Sequence, residues 1–134
     1  MASYGADNRY SVNLIVVKDA STSFSVEFEG MRPVALITPV ALEATTAVVQ
    51  FWAGFNGSDP VVMTDTGGTE VEAVVVANAA HYIPLGNTDD AGAGADRFRG
   101  VNRMLIKLFA SDGSTPVVQA TASRAFTLIL EKSV

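Results

Sequence analysis

A chain of 134 residues has room for one compact domain and not two. Hydrophobic residues make up 49% and charged residues 17%, so apolar surface is ample to offset chain entropy and the sequence is not a disordered tail. A net charge of −5 argues against a nucleic-acid surface, and zero cysteines exclude disulfides, thiolate metal sites and thiol catalysis. No apolar run reaches the length of a membrane-spanning helix. Met1 to Tyr10 is polar and lacks a signal-peptide core. The expectation is a soluble, acidic domain made inside the cell.

In chain order, residues 1–11 read as an N-terminal arm carrying Tyr4, Arg9 and Tyr10, and residues 12–134 as the folded domain. The dominant period is two. Val12 to Val17 is a nearly continuous apolar strand. Ser23 to Glu29 alternates cleanly, with Phe24, Val26 and Phe28 on one face and Ser25, Glu27 and Glu29 on the other. Pro33 opens a strand over Val34 to Thr38 and Pro39 closes it, because proline cannot donate inside a ladder. Ala41 to Ala47 reads as a loop. Val48 to Phe55 is the next strand, ended by the turn pair Asn56-Gly57.

Val61 to Thr64 follows, then a turn over Asp65 to Thr69, and a hairpin partner over Glu70 to Val76 with Glu70 and Glu72 facing out. After a break at Asn78 comes Ala80 to Leu85. Gly86 to Asp96 is the one long loop, acidic and poor in side-chain volume. Arg103 to Ala110 forms a strand, Ser111 to Ser114 turns, Pro116 to Ala120 leads on, and Arg124 to Glu131 ends the domain. Eight to ten short strands punctuated by turns predict an all-β, antiparallel sandwich of jelly-roll type. The expected core is Phe24, Val26, Phe28, Phe51, Val71, Ile83, Ile106, Leu108, Phe126, Leu128 and Leu130.

Residues with chemistry to offer are few. His81 is the single histidine, and no nucleophile or orienting acid accompanies it in a motif, so packing or a rim hydrogen bond is expected of it. The carboxylates of Asp65 and Glu70, and those of Asp89, Asp90 and Asp96, do not match calcium-loop spacing. Gly92-Ala93-Gly94 lacks the lysine and the strand-to-helix setting of a phosphate loop. Glu27, Glu29, Glu70 and Glu72 read as solubilising outward residues. No catalytic, cofactor or metal site is expected, and the chain is not read as an enzyme.

Three apolar side chains call for another explanation. If Val49, Phe51, Ala53 and Phe55 face the core, then Val48, Gln50 and Trp52 face the other way. An outward Trp52 is an interface anchor, a sugar platform or a ring covered by a neighbouring segment. Likewise, inward Met104, Ile106 and Leu108 leave Leu105, Lys107 and Phe109 outward, which points to an oligomer contact or to cover by a chain terminus.

Three segments also resemble small β-sandwich virion proteins of tailed bacteriophages. They are Thr38-Pro39-Val40-Ala41 followed by Val49-Gln50-Phe51-Trp52-Ala53-Gly54-Phe55-Asn56-Gly57, then Met104-Leu105-Ile106-Lys107-Leu108 running to Thr115-Pro116-Val117-Val118-Gln119-Ala120, and finally Arg124 to Leu130. The resemblance spans Phe28 to Leu130 and rests on core strands and turns. Where the family often carries arginines on the penultimate strand this chain has Lys107 and Phe109, and where it carries glutamine this chain has Trp52. The resemblance implies a capsid decoration, or cement, protein on the exterior of the head. It would be made in the bacterial cytoplasm and bind the major capsid protein as a homo-oligomer, with a trimer favoured by the capsid setting. Trp52, Leu105, Lys107, Phe109, Tyr4, Arg9 and Tyr10 are the expected contact residues. Neither nucleic acid nor membrane is an expected partner. A glycan-binding, host-adhesion module of the virion is the alternative.

Overall fold

The computed structural model describes residues 9–55, 58–64, 67–82 and 101–132, with the backbone alone for Arg9 and Tyr82. Nine strands are present among these residues: β1 (Arg9–Val16), β2 (Val26–Glu27), β3 (Met31–Ile37), β4 (Ala47–Phe55), β5 (Val61–Val62), β6 (Glu72–Val75), β7 (Ala80–Tyr82), β8 (Val101–Phe109) and β9 (Arg124–Lys132). They form two antiparallel sheets. Sheet A runs β1-β9-β3-β7, and sheet B runs β2-β8-β4-β5, with β6 on the same edge of β4 as β5. The chain changes sheet at each of the first three steps and alternates again through β7, β8 and β9. If β5 and β6 count as one interrupted strand, this is the strand order of a jelly roll.

The alternation of the long strands builds the core. Leu14, Val16, Leu36, Phe126, Leu128 and Leu130 of sheet A face Val49, Phe51, Ala53, Met104, Ile106 and Leu108 of sheet B, all buried. Val71 and Phe28 are buried as expected, and Val26 packs against the cluster from its partly exposed position. Ile83 lies outside the described residues.

Phe24, expected in the core, and Phe55, expected on the core-facing side of its strand, are both exposed. Phe24 is 64% exposed. The Ser23 backbone is tied to Ile106 of β8, while the next amide, that of Phe24, donates to the Ile15 carbonyl of β1. The chain is stepping between sheets there, the alternation breaks, and only Val26–Glu27 forms a ladder. Phe55 is 41% exposed because the β4–β8 register shifts between Gly54 and Phe55. A bulge of this kind turns the last side chain away from the face that the two-residue period assigns it.

Other boundaries moved for similar local reasons. Pro33 sits inside β3 rather than at its start, and the β3–β9 register shifts between Pro33 and Ala35, the irregularity a proline in a ladder requires. The ladder of β1 takes in Arg9, Tyr10 and Ser11. Residues 116–120 contribute an isolated Phe109–Pro116 bridge rather than a full strand.

Candidate functional site

The outer face of sheet B follows from the ladder. Along β4, Val48, Gln50 and Trp52 point away from the core, opposite Phe109, Lys107 and Leu105 of β8. On the far side of β4, Val74 pairs with Val48, Glu72 with Gln50 and Val62 with Trp52. The sequence placed Trp52 outward on one strand and Leu105, Lys107 and Phe109 outward on another; the pairing of β4 with β8 brings all four onto one face. Each is half-buried.

A polar trio lies at the middle of that face. Trp52 leans along its strand, and its Nε1–H donates to Oε1 of Gln50 at 2.7 Å. Lys107 stands directly across from Gln50, and its Nζ lies 3.7 Å from the centroid of the indole. A cation over the ring face is attracted by the indole quadrupole. The trio leaves Gln50 only 5% exposed on the side of the sheet that faces away from the core. Val48, at 6%, is covered in the same row. The indole is therefore held in one orientation by a donor contact at its edge and a cation on its face.

At one end of the face Arg103 pairs with Glu27, its cross-strand neighbour, and its Nη1 lies 3.6 Å from Asp59. The hydrogen bond to Glu27, opposed by burial and aided by the nearby charge of Asp59, holds the Arg103 guanidinium above its ordinary pKa. The face thus reads as an apolar and aromatic strip around one lysine, with a paired arginine at its rim.

The other expected contact residues sit elsewhere. Tyr10 is on β1 in sheet A, 42% exposed; Arg9 occupies the first position of that strand, and Tyr4 lies outside the described residues. Tyr10 lines an open groove of about 590 Å³ with Ser11, Ala35, Ile37, Ala80, His81 and Ile129. The sequence reading missed this groove. Its signal was the unbroken run Leu128-Ile129-Leu130, in which one apolar side chain must point away from the core. His81 places Nε2 3.4 Å from both the amide nitrogen and the carbonyl oxygen of Val76. Among the described residues no three His, Asp or Glu side chains converge as a metal cluster. Asp65, Asp89, Asp90 and Asp96 lie outside the described residues.

No family model matches the chain, and no curated protein matches it. Among solved structures, it is similar to the SPBc2 prophage-derived protein YomS, with a TM-score of 0.45 and 8% sequence identity over 91% of this chain and 93% of that one.

Proposed function

We propose that this chain is a structural virion protein of a tailed bacteriophage that decorates the assembled head and stabilises it. The observation that carries the reading is the outer face of sheet B. Trp52, Leu105 and Phe109 line up beside Lys107 on the side of the sheet opposite the core. A large aromatic fixed in one rotamer is the usual anchor of a protein interface, because little side-chain freedom is left to lose on binding. The sequence resemblance from Phe28 to Leu130 supplies the virion setting. In this reading the protein acts by burying surface, with the major capsid protein as partner and a small homo-oligomer as the binding unit. Several modest contacts per oligomer then add through effective concentration, by roughly 10²–10⁴ in avidity.

Co-sedimentation with undecorated heads of its own phage tests the proposal. The expected result is saturable pelleting of the wild type and loss of pelleting for folded Trp52→Ala. A wild-type protein that stays in the supernatant with intact heads but binds a glycan array would overturn it in favour of host adhesion.

A further inference from the structure

Among the described strands that border the two sheets, β1 is the long one. It has eight residues, whereas β2, β5, β6 and β7 have two to four. Short edges are one way that proteins keep sheets from pairing with other chains; charges, prolines and bulges on the edge are others. β1 has none of these from Tyr10 to Val16. That stretch carries no charge and no proline, and its register with β9 runs unbroken from Arg9 to Val16.

The ladder also shows which backbone groups face outward. The Ile15 carbonyl accepts from Phe24, so Ile15 turns its backbone away from β9. In an antiparallel pair alternate residues share that direction. Arg9, Ser11 and Asn13 therefore present their amides and carbonyls to the open side of β1, while Tyr10, Val12 and Leu14 bond β9. Among the described residues no backbone group meets Ser11 or Asn13 on that side.

We infer that β1 pairs antiparallel with β1 of a second copy of this chain, about a two-fold axis at Ser11, so that the two four-stranded A sheets become one continuous sheet. The edge is complementary to itself in this register. Arg9 stands opposite Asn13, Ser11 opposite Ser11, and Tyr10 opposite Val12. No like charges meet, and an aromatic faces a β-branched side chain at the closer type of pair. Sliding the axis to Val12 places Arg9 opposite Ile15, whose carbonyl Phe24 already occupies. The Ser11 register uses every outward position free of that contact. The seam goes beyond head binding and does not require it.

Light scattering on purified chains tests the seam, with circular dichroism as the check on folding. Wild type is expected at twice the chain mass. Ser11→Lys and Ser11→Glu each place like charges face to face across the axis and are expected to halve the mass, while an equal mixture of the two restores the dimer. Ser11→Pro removes only an outward amide, a position where an edge strand accepts proline, and is expected to halve the mass as well. A monomeric wild type, or a dimer that persists in both charge variants and in Ser11→Pro, overturns the inference. So does a trimer indifferent to Ser11, which would assign self-association to the outer face of sheet B. Head co-sedimentation of the Ser11 variants is a separate readout: a dimer that ignores heads sinks the decoration reading and leaves the seam standing.

Discussion

Lys107 and Trp52 meet on a diagonal of the β4–β8 ladder. Trp52 is paired with Leu105 and Lys107 with Gln50, yet the ammonium lies 3.7 Å from the indole centroid. Diagonal neighbours across a ladder are within reach of aromatic and long side chains. Contact at that distance makes the lysine part of the aromatic's environment and holds the ring for whatever docks against it.

Lys107→Met keeps the length of the side chain and removes its charge. The expected loss is about 0.5–1 kcal/mol, the worth of a cation–π contact with solvent access. Trp52 is the sole tryptophan, so a urea melt followed by its emission reads the effect directly. Lys107→Arg should retain most of the stability. A melt unchanged in Lys107→Met would show that the ammonium contributes nothing to the folded state.

Gly54 is fixed by close approach rather than by its backbone angle. A Cβ there would collide with the Ser58 carbonyl oxygen. That oxygen belongs to a turn in which the Ser58 amide donates to the Phe55 carbonyl at 3.0 Å and the Phe55 amide to Ser58 Oγ at 3.1 Å. Gly54→Ala must push this turn aside or open the bulge at Phe55. The expected cost is about 1–3 kcal/mol, the range for overpacking a closed site. Denaturant unfolding measures it, and a variant as stable as wild type would mean that the turn moves freely.

The two phenylalanines on which the sequence and the structure part ways make a paired test. Phe126 is fully buried between the sheets, and Phe24 is 64% exposed. Phe126→Ala is expected to cost about 3–5 kcal/mol, through lost transfer energy and the cavity left behind. Phe24→Ala should stay within about 0.5 kcal/mol, as for surface changes generally. Equal losses in the two variants would put Phe24 back into the core.

That contrast shows what was legible in the sequence. The period of two places a side chain correctly wherever a ladder runs unbroken, as along Met104, Ile106 and Leu108 or Phe126, Leu128 and Leu130. It fails where the chain leaves a ladder, because alternation is a property of pairing and not of the residues alone. Phe24 lies on a step between sheets, which has no local sequence mark; Phe55 lies past a bulge whose one mark is Gly54 inside the strand. The outward set Trp52, Leu105, Lys107 and Phe109 was legible for the same reason as the core, since β4 and β8 run as regular partners. The bond from Trp52 to Gln50 was not, because a rotamer choice carries no periodicity. The groove beside β1 was hidden too: it gathers Ala35, Ile37, Ala80 and Ile129 from three strands far apart in sequence.

The turn after β8 gives the clearest pH prediction. Asp112 accepts at Oδ1 from the backbone amides of Ser114 (2.8 Å) and Thr115 (2.9 Å), and at Oδ2 from the Thr115 hydroxyl (2.5 Å). The hydroxyl first, and then the two amides, favour the ionised form and pull the pKa down to about 2. The folded chain then holds this proton less tightly than the unfolded chain, whose aspartate titrates near the ordinary value of about 3.9. Stability therefore falls as the pH drops from about 4 through about 2, and this carboxylate's contribution is fully present above the unfolded value. An NMR titration of the Asp112 side-chain carboxyl should show a midpoint near 2 in wild type. Thr115→Val removes the largest contributor and leaves both amides, so the midpoint should rise part of the way toward 3.9. A wild-type midpoint already at the ordinary value would mean that the turn does not hold its carboxylate in solution.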